Sequence, residues 1–363
     1  MLKAAHRRAP RGNKIRVLVV DDSVVIRRLV THALSEDQSL EVAGSASNGA
    51  IALQKMPQLN PDVVTLDIEM PEMDGLATLR EIRKTYPDVC VIMFSTLTER
   101  GTAATIEALT AGADDYVTKA ANVGSLDQSL ANLRHELVPK IKQFFTEEAP
   151  PLSSPSRPIS KIPVTGKLPK INVKRQIVVL GVSTGGPSAL AEIIPLVPRD
   201  FPLPILIVQH MPPVFTKLLA ERLGSKASVK VAEAVDGSPL QPGTVLIAPG
   251  DYHLEIRRTP AGRTAALSKG APENSCRPAA DVLFRSAAES YGSGCIAAVL
   301  TGMGQDGLRG VEHLKAKGAF VIAQDQASSV VWGMPGYVAR AGLADTVLPL
   351  HSIVPEIIRQ AGL

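Results

Sequence analysis

Ser183 is the residue of this sequence whose type and setting best suit nucleophilic catalysis. It lies in residues 177–187, which read IVVLGVSTGGP, so an apolar run meets a serine between glycines. The run predicts a buried strand of a parallel sheet, and the Gly-Gly-Pro that follows predicts the start of a helix. The pattern Gly181-x-Ser183-x-Gly185 matches the nucleophile elbow. Small residues at such a turn also permit close packing or phosphate binding, and both alternatives stay open at this point.

A nucleophilic serine needs a general base and an acid that orients the base. His210 follows the apolar run PILIVQ, and Asp306 lies in the glycine-rich loop after the run CIAAVLT. Because parallel sheets form their ligand crevice at the carboxyl ends of strands, we expect Ser183, His210 and Asp306 to converge there. His253 is the rival base, and Asp306 could instead be a turn-forming residue. The chain order Ser…His…Asp differs from that of α/β-hydrolases, so the elbow does not indicate that fold.

Three carboxylates end strands in the first part of the chain. Asp21 and Asp22 follow the run RVLVV, and Asp67 ends the run VVTLD. Carboxylates gathered at one sheet edge repel unless a cation lies among them, and an all-oxygen site with few ligands suits Mg²⁺. Ser95 and Lys119 end two further strands, and a hydroxyl and an ammonium beside the acids are suited to hold a phosphoryl group on a carboxylate. The alternative is that these side chains only cap and solvate loops.

Strands and helices are predicted to alternate along the chain, which indicates α/β architecture with doubly wound parallel sheets. Ser23 is a suitable N-cap for the helix after the first strand. The length of 363 residues indicates two domains, since single cores rarely grow beyond about 250–300 residues. We place the first domain at 14–137, a linker at 138–174 and the second domain at 175–363. The predicted strands are residues 16–20, 63–67, 91–95, 115–119, 177–180, 204–210, 244–248, 252–256, 295–301 and 319–323.

The linker prediction rests on composition. Residues 150–169 read PPLSSPSRPISKIPVTGKLP, which cannot bury enough apolar surface to fold and predicts a flexible to semi-rigid spacer. Residues 136–145 before it could continue the last helix of the first domain. The linker is basic and the first domain is acidic, so the two could attract each other, although salt screens exposed charges over about 8–10 Å.

Composition also limits the class of function. The net charge of +4 hides an asymmetry, since residues 1–16 and 140–175 are basic whereas residues 17–139 are acidic. A folded nucleic-acid binder would be expected to carry a basic face, so we expect no nucleic-acid partner. No apolar run approaches the roughly 18 residues of a membrane span. Residues 1–10 lack the apolar core of a signal peptide, so we expect a cytoplasmic protein that does not insert into membranes.

The three cysteines, Cys90, Cys276 and Cys295, are scattered, and neither CxxC pairs nor clustered histidines occur. Cys90 and Cys295 lie in apolar runs and are expected to be core residues. The pattern therefore favours neither a disulfide framework nor structural zinc.

The first domain resembles the receiver domain of bacterial response regulators. The motifs are VLVVDDS, LDIEMPEMDGL at residues 66–76, the strand that ends in Ser95, and GADDYVTK at residues 112–119. The resemblance implies a flavodoxin-like fold, a histidine kinase as phosphodonor, Asp67 as phospho-acceptor and Mg²⁺ as cofactor. Ala120 stands where the family usually has proline. This departure affects the expected shape of the loop after Lys119 and not the expected chemistry.

The resemblance also implies roles for the neighbours of Asp67. The residues that it assigns to the metal are Asp21, Asp22, Asp67 and, through a backbone carbonyl, Glu69. The residues that it assigns to the switch are Ser95 as the hydroxyl, Tyr116 as the rotating aromatic side chain and Lys119 as the phosphate partner.

Residues 175–363 resemble the catalytic domain of the protein-glutamate methylesterases of bacterial chemotaxis. The matching motifs are GVSTGGP, IVQHMPP, APGDYHLEI, RPAADVLFRSAA, LTGMGQDG and QDQASSVVWGMP. The resemblance makes Ser183 the nucleophile, His210 the base and Asp306 the orienting acid. Further near-site residues that it implies are Met303, whose backbone N–H is a candidate oxyanion donor, and Thr184. Gln326 stands where an acidic residue is expected.

Together the two resemblances imply a phosphorylation-activated serine esterase with a Rossmann-like catalytic domain that needs no cofactor for ester hydrolysis. Its substrates would be glutamate γ-methyl esters on the cytoplasmic helices of methylated chemoreceptors, with methanol leaving, and the same triad could deamidate specific glutamines. We expect the chain to act as a monomer. Two other hypotheses are an output domain that only binds a nucleotide or protein through the GVSTGG loop, and a DNA-binding regulator. The second lacks both a helix-turn-helix tail and a basic face.

Overall fold

The computed structural model describes residues 10, 12–96, 98–119, 126–145, 174–260 and 262–363. Within these ranges the strands form two parallel sheets and one antiparallel hairpin. No helix in the described ranges is long and apolar enough to cross a membrane. Ala120, residues 1–9 and most of the predicted linker (146–173) lie outside the described residues.

The first sheet has five parallel strands in the order β2-β1-β3-β4-β5. The strands are β1 (Ile15–Val20), β2 (Leu40–Ala46), β3 (Val63–Asp67), β4 (Cys90–Ser95) and β5 (Asp115–Thr118). The helices are α1 (Val24–Ser35), α2 (Gly49–Leu59), α3 (Gly75–Thr85), α4 (Glu99–Thr110) and α5 (Leu126–Lys142). Every residue of β3 and β4 is buried, as expected for parallel strands that are covered on both faces. This strand order is the flavodoxin-like one.

Ser23 caps α1 as predicted. Its hydroxyl accepts a hydrogen bond from the Ile26 N–H at 3.4 Å, and the Ser23 N–H donates to Asp21 Oδ1 at 2.8 Å. Side chains thus hold the turn between β1 and α1, which fixes Asp21 and Asp22 at the end of the strand.

The second sheet has seven parallel strands in the order β14-β13-β12-β6-β7-β9-β8. The strands are β6 (Ile177–Val182), β7 (Ile205–Gln209), β8 (Lys230–Glu233), β9 (Thr244–Ile247), β12 (Cys295–Val299), β13 (Phe320–Gln324) and β14 (Thr346–Leu348), and the hairpin is β10 (His253–Thr259) with β11 (Gly262–Ser268). The helices are α6 (Gly186–Ile193), α7 (Phe215–Gly224), α8 (Ala280–Tyr291), α9 (Leu308–Ala316), α10 (Met334–Arg340) and α11 (Leu350–Ala361), with 3₁₀ turns at Ile194–Leu196 and Gly292–Gly294. The strand order reverses at β6, which lies between β12 and β7, so its carboxyl end is a topological switch point.

The sequence does not predict β2, β8, β11 or β14. Neither β8 nor β14 contains a fully buried residue, so neither has the apolar run that marks a central strand. The predicted strands at residues 204–210 and 295–301 run slightly too long, since they include Pro204 and His210 in the first case and Leu300 and Thr301 in the second.

The two domains pack against each other through β5, α4 and the end of α5. The rings of Tyr116 and Phe215 stack with their centroids 4.7 Å apart. Helix α4 also packs on α6 and α7. Just after α5, Phe144 belongs to the same buried apolar cluster as Val331, and Val330 packs against this cluster.

Helix α5 continues to Lys142, so residues 138–142, which the sequence places in the linker, are helical. Val138 and Ile141 are buried, as core residues of a helix would be. The continuation considered for residues 136–145 therefore holds as far as Lys142. The domain limits at 14–137, 138–174 and 175–363 remain predictions.

Candidate active site and phosphorylation site

Ser183 lies directly after β6, at the turn into α6. Its backbone N–H donates to the Thr301 carbonyl at 3.0 Å, which ties the turn to the segment after β12. Gly185 has a φ of +76°, a left-handed conformation that favours glycine, and a side chain there would collide with Val330. The local structure is thus the sharp strand-to-helix turn that the sequence predicts, and Ser183 is half-buried in it.

The loop after β12 approaches Ser183 closely. A side chain in place of Gly302 would lie 2.7 Å from Ser183 Cβ, so only glycine allows the two backbones this near. Met303 follows, and this residue is 49% exposed. Within the described ranges, its backbone N–H donates to no acceptor. This N–H is therefore free to bind a ligand.

His210 and Asp306 form a hydrogen-bonded pair at the ends of the two strands that flank β6. His210 Nε2 lies 2.7 Å from Asp306 Oδ2. The Asp306 carboxylate is 2% exposed and the His210 side chain 13%. The backbone N–H of His210 donates to the Val182 carbonyl at 3.2 Å, which anchors His210 to the residue before Ser183. The side chains of Ser183, His210 and Asp306 thus follow three adjacent strands.

The environment of the pair favours its charged form. Burial opposes a charged His210, but hydrogen bonds with Asp306 and Cys276 outweigh burial and raise the pKa of His210 above its usual value. Burial also opposes a charged Asp306, but His210 and the backbone N–H groups of Ala280 and Asp281 outweigh it and lower the pKa of Asp306. An imidazolium–carboxylate pair is the state that a general base reaches after it accepts a proton.

The second ring nitrogen of His210 is the one available for chemistry. Because Nε2 bonds to Asp306, only Nδ1 can accept a proton from a nucleophile, and Nδ1 faces Cys276 Sγ at 3.6 Å. Within the described residues the Ser183 hydroxyl makes no hydrogen bond to this nitrogen. Catalytic hydrogen bonds are often long before substrate binds. The sequence gives no signal for the contact with Cys276.

His253, the rival base, is held by backbone groups on both ring nitrogens. It is buried, with Nε2 3.0 Å from the Ala271 carbonyl and Nδ1 3.2 Å from the Ala279 N–H that donates to it. A histidine whose two nitrogens are both engaged has none free for a substrate. His253 therefore fixes the loops around β10.

A second cluster of polar groups lies at the carboxyl edge of the first sheet. A cavity of about 250 Å³ opens there, and its lining includes Asp22, Asp67, Glu69 and Lys119. One carboxylate oxygen from each of Asp21, Asp22 and Asp67 lies within 4.8 Å of the other two. Lys119 Nζ lies 2.8 Å from Asp67 Oδ1 and 2.9 Å from Asp21 Oδ2. An all-oxygen donor set at this spacing fits a Mg²⁺ ion.

The electrostatic environment of Asp67 also favours a bound cation. Burial raises the pKa of Asp67 to about 6, and the nearby Asp21 adds to this, although Lys119 and the Ile68 N–H oppose the change. A single lysine thus compensates the buried carboxylates incompletely. A divalent cation would supply the missing positive charge.

The remaining predicted receiver residues surround this cavity or the domain interface. Ser95 is buried, and its hydroxyl accepts from Thr105 Oγ1 at 2.5 Å and donates to the Thr96 carbonyl at 3.0 Å. Tyr116 is buried against Phe215, and burial raises the pKa of its hydroxyl well above the usual value. Glu69 is exposed, with its carboxylate 3.9 Å from Arg100 Nε.

Comparison with known proteins agrees with both halves of this description. The family profile for CheB methylesterases matches residues 178–357, and the profile for response regulator receiver domains matches residues 17–131. A protein-glutamate methylesterase/protein-glutamine glutaminase of Trichodesmium erythraeum is 50% identical over 96% of this chain and 99% of its own. One of Nocardioides sp. is 52% identical over 95% of both chains. The chain belongs to this family of methylesterases.

The resemblances drawn from the motifs are thereby confirmed, and so is the fold class of two doubly wound parallel-sheet domains. A crystal structure of the CheB methylesterase catalytic domain of Thermotoga maritima is 48% identical. It matches 52% of this chain and 99% of its own, with a TM-score of 0.50. Receiver domains of this kind carry a Mg²⁺-dependent phosphorylation site, and the acidic cluster around Asp67 is of the matching type.

In this methylesterase the turn after α5 reaches the turn that holds Ser183. Thr184, the neighbour of Ser183, donates a hydrogen bond from Oγ1 to Gln143 Oε1 at 3.3 Å. Gln143 also donates to Asp115 Oδ2 at 3.1 Å, so its amide is held from the receiver side. The sequence could not predict this contact, because it joins two domains across the linker. The last described turn of the receiver thus touches the residue beside the candidate nucleophile.

Proposed function

We propose that this chain is a serine esterase that hydrolyses glutamate γ-methyl esters of proteins, and that phosphorylation of Asp67 controls it. The observation that supports the proposal most is the hydrogen bond between His210 and Asp306. These two residues follow the strands on either side of β6, and Ser183 follows β6 itself. A base already paired with a carboxylate next to an elbow serine is the arrangement that acyl transfer requires.

In the proposed reaction Ser183 Oγ attacks the ester carbonyl while His210 Nδ1 accepts its proton. Asp306 stabilises the imidazolium through Nε2, and the Met303 N–H binds the oxyanion beside Thr184. His210 then returns the proton to the leaving oxygen, so that methanol departs and a γ-glutamyl ester of Ser183 remains. Water attacks this ester with the same base and releases glutamate. No step in this scheme requires a cofactor.

Glutamine deamidation follows the same course with ammonia as the leaving group. The amide and the methyl ester share the γ-carbonyl that Ser183 attacks, so one acyl-enzyme serves both reactions. We therefore assign the glutaminase activity to Ser183, His210 and Asp306 as well.

For the receiver we assign Asp67 as phospho-acceptor, with Asp21, Asp22, Asp67 and the Glu69 carbonyl as the Mg²⁺ ligands. When bound, the ion supplies positive charge that offsets these carboxylates and the phosphoryl group. Lys119 already lies 2.8 Å from the acceptor carboxylate, so its ammonium can bind a phosphoryl oxygen after a small movement. Ser95 would have to release its bond from Thr105 to do the same.

Control is proposed to be steric. Gln143 bonds to Thr184, and α4 packs on α6 and α7, so the unphosphorylated receiver lies against the elements that carry Ser183. Tyr116 links the two regions, since it lies in β5, the strand that leads to Lys119, and stacks on Phe215. A change in Ser95 and Lys119 around a phosphoryl group would alter this face and release the esterase.

The substrate proteins that we propose are methylated chemoreceptors, and the phosphodonor is a histidine kinase, both encountered in the cytoplasm by a monomeric enzyme. Family membership and the receiver domain support the substrate and the donor.

The test measures methanol release from methylated receptor by the full chain, with and without acetyl phosphate and Mg²⁺. Ser183→Ala should lower turnover by about three orders of magnitude or more, as for other triad nucleophiles, with the fold retained. Ser188→Ala, a buried serine in α6, is the matched control and should keep normal turnover. Asp67→Asn should stay at the basal rate when phosphodonor is added.

Retention of a tenth of the turnover in Ser183→Ala would remove the nucleophile assignment. A wild-type chain that binds receptor but releases neither methanol nor ammonia would instead support an output domain that only binds its partner.

A further inference from the structure

The turn before α8 touches both members of the His210–Asp306 pair. Glu273 and Cys276 close this turn through two backbone hydrogen bonds of 3.1 and 2.8 Å. Cys276 Sγ faces His210 Nδ1, and the Asn274 side chain reaches Asp306. Neither Asn274 nor the turn carries a recognisable catalytic motif in the sequence.

Asn274 bridges two buried carboxylates. Its amide nitrogen Nδ2 donates to Asp306 Oδ1 and to Asp281 Oδ2, at 3.0 Å in each case. Asp281 is 0% exposed and Asp306 2%, whereas the Asn274 residue itself is exposed at the surface. An amide with two protons is suited to this position, because each carboxylate can accept one of them.

Apart from His210, the other hydrogen-bond donors to these two carboxylates in the described residues are backbone N–H groups, so Asn274 is the side chain that lies between the acids. Asp306 Oδ1 also accepts the N–H groups of Asp281 and Gly307, both at 3.0 Å, and Asp281 Oδ1 accepts the Gly310 N–H at 2.6 Å. These are backbone donors that no single substitution removes. The charged groups that face the cluster are His210 after β7, Asp281 and Arg285 on α8, and Glu273 on the turn, which pairs with Arg285.

Repulsion between the carboxylates of Asp281 and Asp306 disfavours the state in which both are charged. Burial, together with the charge of Asp306, raises the pKa of Asp281 above its usual value, while Gly310 and Asn274 oppose this change. Without the bridging amide, repulsion between the two carboxylates would turn Asp306 Oδ2 away from His210 or favour protonation of the pair. Either change would weaken the base.

We propose that Asn274 is a positioning residue of the esterase, whose amide holds Asp306 in the orientation that binds His210. This inference rests on the proposed function, since it assigns Asp306 to the orienting role. It also explains why an asparagine occupies a backbone position with φ of +50°, since asparagine tolerates the left-handed region better than most residues.

Two substitutions separate the amide from the backbone of the turn. Asn274→Gly keeps the left-handed conformation and removes the amide. Asn274→Asp keeps the shape and replaces the donor with a third carboxylate. Ser275→Gly is the matched control, because Ser275 has φ of +62° in the same turn and its hydroxyl makes no hydrogen bond within the described ranges.

With the full chain, acetyl phosphate and Mg²⁺, we expect both Asn274 variants to lower kcat about tenfold to a hundredfold, with KM within twofold. Asn274→Asp should be the slower, and its activity should rise at a higher pH than that of the wild type, because added negative charge favours the imidazolium. Ser275→Gly should match the wild type. Wild-type kcat in Asn274→Gly would overturn the proposal, since only the turn conformation would then matter.

A second readout does not depend on esterase activity. The proton on His210 Nε2 should give a downfield nuclear magnetic resonance signal through its bond to Asp306, and this signal should shift or broaden in Asn274→Gly and not in Ser275→Gly. An unchanged signal in Asn274→Gly would overturn the proposal even if kcat fell. Shifts in the Asn274 variants of a chain that releases no methanol would support the positioning role and contradict the proposed function instead.

Discussion

The ring of Tyr116 lies 4.7 Å from the ring of Phe215, with 18° between their planes, and this stack joins the receiver to the first turn of α7. Tyr116 follows Asp115, whose carboxylate binds the same Gln143 that contacts Thr184. The stack and the hydrogen bond thus form two neighbouring contacts between the receiver and the elements around Ser183. If the receiver covers the active site, loss of the stack should uncover it in part.

Tyr116→Ala is therefore expected to raise the basal methanol release of the unphosphorylated chain about twofold to tenfold, since such ring pairs contribute about 0.5–1.5 kcal/mol beyond their buried area. A fragment that starts at Lys174 should be fully active without phosphodonor. The control is the same comparison after phosphorylation, where the variant and wild-type rates should converge. A fragment no faster than the unphosphorylated full chain would contradict occlusion.

Substitution of His210 is expected to lower turnover far more than substitution of His253. His210→Ala should lower turnover nearly as far as Ser183→Ala, and the double variant should be little worse, because triad members act as a unit. His253→Ala should retain most of the activity of the folded protein but unfold at a lower temperature, since it leaves the buried Ala279 N–H without its acceptor. Activity assays paired with melting curves measure both effects. The opposite ranking in activity would make His253 the base.

The kcat/KM of ester hydrolysis should increase with pH, and the midpoint of this increase should lie at a higher pH than for an ordinary histidine. His210 acts as a base only when it is deprotonated, and its pKa lies above the usual 6.5. The rate kcat/KM of the fragment from Lys174 should therefore rise with pH and reach half its maximum above pH 6.5. Asp306→Asn should lower the rate by about three to four orders of magnitude and shift the residual limb toward acid, because the charged partner is lost. A limb centred below pH 6.5 in the wild type would contradict the ion pair.

Asp67→Asn should stabilise the chain at neutral pH. The pKa of Asp67 is raised from 3.8 to about 6 in the fold, so the charged carboxylate is disfavoured there relative to the unfolded chain. This cost is complete above the folded pKa and disappears below the unfolded one. At one pKa unit per roughly 1.4 kcal/mol, the variant should gain about 1–3 kcal/mol in free energy of unfolding near pH 7.5.

That gain should shrink as the pH falls through about 6 toward 4, and Mg²⁺ should stabilise the wild type more than the variant. Urea denaturation at several pH values, with and without Mg²⁺, measures these differences. A wild type at least as stable as Asp67→Asn near pH 7.5 without Mg²⁺ would show that Lys119 compensates the carboxylate fully.

Sequence patterns predicted those parts of the fold that local chemistry determines. The buried runs before Asp67, Ser183 and His210 are apolar and β-branched, and each forms a central strand. Parallel pairing then brings their ends to one edge, so the position of polar residues after strands could be inferred. Strand β8, with the sequence KVAE, could not, because it is half-exposed and lies at the edge of the sheet, where it pairs with β9.

The parts that the sequence did not predict depend on contacts between distant residues. Asn274 meets Asp306 across 32 positions and Gln143 meets Thr184 across 41, and neither pair has a periodic or spaced pattern. The sequence left open whether α5 continues beyond residue 137, because the core that Val138 and Ile141 enter is formed by distant residues. The sequence pointed to the candidate reacting groups, whose roles stay predictions, but not to the side chains that contact them.

The three proposed reacting groups follow β6, β7 and β12, and this placement has a kinetic consequence. Because all of them come from the second domain, a receiver that covers them acts as a tethered competitive inhibitor, and receptor and receiver exclude each other. At saturating receptor concentration the unphosphorylated enzyme should then reach the same kcat as the phosphorylated enzyme. Its KM for receptor should be higher. By linkage, bound receptor should in turn make Asp67 easier to phosphorylate, so that a dense receptor array primes the enzyme that acts on it.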